Sequence, residues 1–214
     1  MAKSDGASIL TVAQQKGGAG KTTLVAQLAV ALAGPRQKVA VVDIDPQGSL
    51  TAWYGVREQQ GFANDHLDVR QVSGWRTASE IDRLRNEFDL ILIDSPPHAE
   101  TDAKVAVRAA DLVLIPVQPS PLDVWATKPT IDLALGEKVP VLLLMNRVPP
   151  RAKIVEEVSG WLAQKGLPVA DTRLGNRVAF ASSMMEGKGV METAKRSSAA
   201  QEIEALAKEI KKAL

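Results

Sequence analysis

Two lysines, Lys16 and Lys21, bracket a run of small residues in KGGAGKTT, residues 16–23. A turn of this composition is suited to holding phosphate. Gly17, Gly18 and Gly20 let several backbone N–H groups converge on an anion, because no Cβ obstructs the approach or restricts the backbone angles. Ala19 completes the cradle, and a helix starting at its end adds the partial positive charge of its N-terminus. Lys21 would then reach the β- and γ-phosphates of a nucleoside triphosphate. The Thr22 hydroxyl would ligate Mg²⁺, and Thr23 would donate to the α-phosphate. The usual GxxxxGK[ST] spacing is met except at its first position, where Gln15 stands. Lys16 follows it and adds a cation that the pattern does not require.

Polar residues with metal- and base-binding chemistry recur where apolar runs end. KVAVVDIDPQGS delivers Asp43 and Asp45, and FDLILIDSPP delivers Asp94. A buried aspartate without a cation is costly, so Asp94 is expected to hold Mg²⁺ through water. Asp43 is expected to support Lys21 or the metal's water shell. VPVLLLMNR brings Asn146 and Arg147 to the same edge. The Asn146 amide, one donor and one acceptor group, matches the N6/N7 edge of adenine, so both residues join the ATP-binding set.

These residues need a scaffold that collects strand ends on one side. Short apolar runs at 8–13, 38–43, 67–72, 90–94, 112–117 and 139–145 read as strands, several of them apolar throughout, as parallel strands buried on both faces are. Helical patterns alternate with them at 22–33, 76–86, 101–109, 122–135 and 152–165. The alternation predicts a doubly wound, mostly parallel α/β sheet flanked by helices, of the P-loop NTPase type, with right-handed crossovers. Residues 171–193 read as a loop with at most a short helix. Residues 197–214 read as a terminal helix with Ile203, Leu206, Ile210 and Leu214 as its packing face.

The 214 residues suit one domain, 1–214, and 45% hydrophobic with 24% charged residues is ordinary globular composition. No apolar run approaches a membrane span. The start of the chain, with Lys3 and Asp5, shows no signal-peptide pattern, so cytoplasmic residence is expected. The absence of cysteine excludes disulfides, thiolate metal sites and iron–sulfur ligation by this chain. Residues 147–214 carry 12 Lys and Arg against 8 Asp and Glu, a mild basic bias toward anionic partners.

KGGAGKTT, with DIDPQ and LILIDSPP, resembles the deviant Walker A motif and switch regions of the ParA/MinD family of P-loop ATPases. VLIPVQPSPLDV and the tail TRLGNRVAFASSMMEGKGVMET extend the resemblance over nearly the whole chain, the tail more loosely. The resemblance implies ATP and Mg²⁺ as cofactors and an ATP-sandwich homodimer in which Lys16 contacts the partner subunit's phosphates. It implies that Asp45 orients the attacking water, with Lys16, Lys21 and Asp45 catalytic, Thr22, Asp94 and Asp43 at the metal, and Asn146 at the adenine. Within the family the chain looks most like a small ParA-type partition or positioning ATPase with no N-terminal helix-turn-helix. Such proteins bind DNA non-specifically, sit on the nucleoid when ATP-bound, and are released when a ParB-like or other cargo-adaptor protein stimulates hydrolysis. Candidate DNA-binding residues are Arg173, Arg177, Lys195, Arg196, Lys208, Lys211 and Lys212. Two other readings stay open: a MinD-like membrane-cycling ATPase and a P-loop metabolic synthetase. The first needs bulky lipid-facing residues in the last helix, which has alanines instead and no aromatic, so no membrane insertion is expected. The four tryptophans are not sorted between core and interface by the sequence.

Overall fold

The computed structural model describes residues 6–97, 100–151 and 153–214. Lys3, Asp5 and Ala152, the expected first residue of a helix, lie outside the described residues. The strands are β1 (Ser8–Val12), β2 (Val39–Asp43), β3 (Leu67–Gln71), β4 (Leu90–Asp94), β5 (Leu112–Val117), β6 (Val141–Val148) and β7 (Val169–Gly175). They form one sheet in the order β3-β2-β4-β1-β5-β6-β7, with every pairing parallel. The α/β architecture expected from the alternation is the one observed.

Alternate residues of each central strand feed two cores. On one face, Ile9, Val42, Ile91, Ile93 and Val113 pack against α3 (Thr77–Leu84), α4 (Glu100–Ala109), α6 (Lys128–Gly136) and α7 (Ile154–Gln164). On the other, Leu10, Val12, Val41, Leu92 and Leu114 meet α1 (Lys21–Leu32), α2 (Ser49–Gln59) and α10 (Ser198–Ala213). Burial on both faces is why these runs are apolar at consecutive positions. Ile203, Leu206 and Ile210 of α10 are fully buried, but Leu214 is 37% exposed and leaves the predicted packing stripe.

Four departures from the sequence reading have physical reasons. The segment 171–193 is not mainly loop: β7 occupies its start, followed by α8 (Val178–Met185) and α9 (Val190–Thr193). As an edge strand, β7 buries only Ala170 and Leu174 and lacks a continuous apolar run. The helix α2 follows β2, with Leu50, Trp53 and Arg57 buried at helical spacing. The expected helix 122–135 is two helices, α5 (Pro121–Trp125) and α6, where Pro129 near the start of α6 lacks the N–H a continuous helix needs. Finally, β6 runs on through Asn146 and Arg147, with a register irregularity between Met145 and Val148 and Arg147 at φ 52°. A bulge of this kind re-aims side chains at a sheet's end.

Candidate functional site

β1 is the central strand, and residues 13–20 link its C-terminal end to α1. The sheet extends to one side of β1 through β4 and to the other through β5, and open α/β sheets place ligands at that switch point. Gly18 (φ 76°) and Gly20 (φ 87°) take left-handed angles that side chains disfavour. Gly20 is the N-cap of α1 and supplies no side-chain cap, so the first-turn N–H groups stay available to an anion.

Lys21 is almost fully buried at the start of α1. Burial pulls its ammonium below the usual lysine pKa, and the carboxylates of Asp94 and Asp45 oppose that shift. Asp94, at the end of β4, is 1% exposed, and neither of its oxygens has a hydrogen-bond partner. Burial raises its pKa to about 7. The nearby Thr22 hydroxyl and Lys21 temper the rise, while Asp43 adds to it. An orphaned, buried carboxylate beside a hydroxyl suits a hard divalent cation. Among the described residues no three His, Cys, Asp or Glu converge on one point. Magnesium fits such a sparse set, since it keeps water and phosphate ligands rather than an all-protein cage.

Asp43 is tied into its own turn. Its Oδ1 accepts from the Asp45 N–H at 3.2 Å, and its Oδ2 accepts from the N–H and hydroxyl of Thr51, each at 3.0 Å. Burial raises its pKa, and these bonds counter the rise. These bonds make Asp43 an organiser of the β2–α2 turn, at a position paired in register with Asp94 of β4. That turn carries Asp45, half-buried, whose Oδ1 accepts from the Gln47 N–H at 3.0 Å.

Lys16 stands at the outer lip of the glycine turn, its side chain 40% exposed, and its Nζ lies 2.8 Å from Asp123 Oδ1. Asp123 sits in the first turn of α5, where the Ser120 hydroxyl caps the helix and donates to its Oδ2. The sequence reading missed Asp123. Its signal is the S-x-x-D spacing of Ser120 and Asp123, a helix-start pattern.

The Asn146 amide is turned into the glycine turn. Nδ2 donates to the Ala19 carbonyl at 2.8 Å, and Oδ1 accepts from the Arg147 N–H at 2.9 Å. A Cβ on Gly20 would stand 2.9 Å from Nδ2, so Gly20 permits this contact. Beyond the turn opens a cavity of about 330 Å³ lined by Thr23, Asn146, Arg147, Asn176, Arg177 and Phe180 among others. It adjoins the phosphate cradle and has room for a nucleoside, which is where the expected adenine contact would have to be made. Asn176 and Phe180 were not foreseen, because the loop assigned to 171–193 gave no reason to bring them here.

The seven basic candidates do not gather into one patch. Arg173 is paired with Glu156, and Arg177 with Glu202 while lining the cavity beside Asn146. Lys208 pairs with Glu204 along α10. Lys195 and Arg196 are exposed just before α10. Lys211 and Lys212 lie at its other end, where Lys211 lines a recess with Ser8 and Leu90 at the strand starts, the pole opposite the glycine turn.

Residues 10–213 match the model of the CobQ/CobB/MinD/ParA nucleotide binding domain. The chain is 30% identical to maintenance of carboxysome distribution protein A of Halothiobacillus neapolitanus over 97% of this chain and 98% of that protein. It is 29% identical to the chromosome-partitioning ATPase Soj of Thermus thermophilus, covering 94% of each. Its fold superposes on septum site-determining protein MinD of Pyrococcus horikoshii, solved with Mg-ADP, at a TM-score of 0.80, 21% identity and 96% coverage of both chains.

Proposed function

This chain belongs to the CobQ/CobB/MinD/ParA nucleotide-binding family, and from that premise we propose that it is a ParA/MinD-type positioning ATPase whose MgATP-bound dimer carries or distributes a cargo. The triphosphate lies in the cradle of residues 16–23 and the adenosine in the cavity beside Asn146 and Arg147. Thr22 and Asp94 would hold Mg²⁺, which would supply charge neutralisation when bound. Water held by Asp45 attacks the γ-phosphorus in line, and the bond to the ADP oxygen breaks. Lys21 stabilises the charge that builds on the phosphate oxygens.

The observation that carries this reading is Lys16. A second cation at the lip of the cradle, half exposed and paired in cis with Asp123, is placed to exchange that partner for the phosphates of a second subunit. Two relatives named for carboxysome distribution and chromosome partitioning, each spanning most of this chain, support the same reading. A MinD-like membrane cycle draws less support, since the apolar stripe of α10 is spent inside the domain. Among the described residues no helix is long and apolar enough to cross a membrane.

Light scattering with a non-hydrolysed ATP analogue and Mg²⁺ tests the reading. The wild-type chain is expected to dimerise, and Lys16→Ala is expected to bind nucleotide yet stay monomeric. Dimers of Lys16→Ala at wild-type concentrations would remove the trans role and with it the reading. We further propose that the dimer binds duplex DNA without sequence preference and that an adaptor protein on the cargo stimulates turnover.

A further inference from the structure

Among the described residues three other than glycine have positive φ, namely Lys138, Arg147 and Arg151, and only Arg147 of these lies within a strand. Its φ of 52° is a left-handed angle that residues with a side chain rarely adopt. The angle falls in the irregular stretch of β6 between Met145 and Val148. There the side chain lies over the glycine turn. A Cβ placed on Gly20 would stand 3.7 Å from Arg147 Nε and 3.9 Å from one of its terminal nitrogens. Gly20 is the N-cap of α1, so the guanidinium faces the positive end of that helix.

No carboxylate offsets this gathering of positive charge. Arg147 is exposed and joins no ion pair among the described residues, and the cavity it lines has no Asp or Glu in its walls. The second cation of that cavity, Arg177, is different, because Glu202 of α10 holds it. Without an anion, Arg147 and the end of α1 repel each other. A strained residue thus keeps an unpaired cation against a helix end of like sign. Strain of this kind persists where function requires it.

We propose that Arg147 is a phosphate clamp, its guanidinium closing on the α-phosphate, the group that joins the cradle to the nucleoside cavity. The inference rests on the nucleotide-binding reading of the site and adds a third cation to Lys16 and Lys21. A guanidinium offers five donors and no acceptor, so it suits phosphate oxygens and cannot accept from the 6-amino group of adenine. Its place over Gly20 lets it share one anion with the first-turn N–H groups of α1. Stacking on the base is the other role open to a guanidinium, and the test separates the two.

Arg147→Gly removes the cation and takes the left-handed angle freely. In nucleotide-free buffer it should melt at or above the wild-type temperature, while calorimetry should show MgADP binding weakened at least about tenfold. A gain in stability joined to a loss in affinity is a result that misfolding cannot produce. Magnesium tripolyphosphate, which has no nucleoside, should weaken to a similar extent. Adenosine, measured by displacement of a fluorescent ADP analogue, should bind both chains within about twofold. Weakened MgADP binding with tripolyphosphate unchanged would assign the guanidinium to the base and overturn the proposal. Equal MgADP affinity in wild type and Arg147→Gly would overturn it as well. If Arg147→Gly melts below the wild type, the backbone there is not strained and Arg147→Gln decides the contact, with wild-type MgADP affinity as the overturning result. A wild-type chain that binds tripolyphosphate but no MgADP defeats the nucleotide reading, and the tripolyphosphate comparison then decides the clamp separately. If it binds neither, both fall.

Discussion

At Asp94 the demands of folding and of cation binding oppose each other. The carboxylate sits at 1% exposure with no hydrogen-bond partner, and its pKa rises from 3.8 to about 7. The folded, metal-free chain therefore binds a proton more tightly there than the unfolded chain does. The stability tied to that proton is fully present below pH 4 and is lost as pH rises through 7, to the extent of a few kcal/mol, on the order of 1.4 kcal/mol per pKa unit. Asp94→Asn removes the titration. In EDTA at pH 8 the variant is expected to melt several degrees above wild type, at roughly 2–4 °C per kcal/mol, and the gap should close toward pH 4. The same variant should lose the magnesium dependence of nucleotide binding. Coincident melting curves at pH 8 would contradict the account of Asp94. Lys16 offers a gentler test, because a half-exposed ion pair is worth at most about 1 kcal/mol. Asp123→Asn should therefore lower the ATP concentration needed for half-maximal dimerisation by roughly two- to fivefold. An unchanged threshold in a light-scattering titration would mean that the pair does not restrain Lys16.

Elements report on the site through the contacts that clamp them. Arg57 of α2, buried, forks onto Glu192 of α9 at 2.7 and 2.8 Å and donates to the Gly187 carbonyl at 3.1 Å. Gln27 of α1 adds a second tie, donating to the Ser183 hydroxyl and accepting from the Val190 N–H. Gly187 makes this closeness possible: its φ is 67°, and an added Cβ would stand 2.4 Å from the Arg57 backbone nitrogen. Gly187→Ala should accordingly destabilise the chain by about 2–4 kcal/mol in urea denaturation. Gly34→Ala, with open space at its Cβ, serves as the control and should change little. If Gly187→Ala matched the control, the clamp would be loose. This clamp also marks where the sequence stopped being readable. The doubly buried strands β1, β2, β4 and β5 and the glycine turn announce themselves through consecutive apolar residues and KGGAGKTT. An edge strand such as β7 buries two side chains, and α2 three, so their patterns are thin. The engagement of Asp43 by the N–H and hydroxyl of Thr51, and of Asn146 by the remote Ala19 carbonyl, depends on tertiary geometry that no spacing rule identifies.

Across the whole molecule, three of the seven cations proposed to meet DNA are held in ion pairs. Arg173 and Arg177 face Glu156 and Glu202, and Lys211 and Lys212 lie at the far end of a 16-residue helix, on the order of 20 Å from its start. Spread over two ends of a helix, the seven cations form no compact patch, and the proposed DNA-bound dimer is expected to draw on a subset from each subunit. Arg173 is the sharpest case: its pairing with Glu156 raises its pKa and lowers that of the carboxylate. If Arg173 touches DNA, each binding event must break that pair, and Glu156→Gln relieves the competition. The variant should hold duplex DNA more tightly in the MgATP state, by about two- to fivefold for a surface pair. The slope of log affinity against log salt should keep its value, since the number of phosphates neutralised is unchanged. Arg173→Ala should instead lower the magnitude of that slope by roughly one per subunit engaged. Fluorescence anisotropy across a salt series with a labelled duplex separates the two effects. If both variants reproduce the wild-type line, Arg173 lies off the DNA path, and the contact falls to the other candidates, among them Lys195 and Arg196, exposed just before α10.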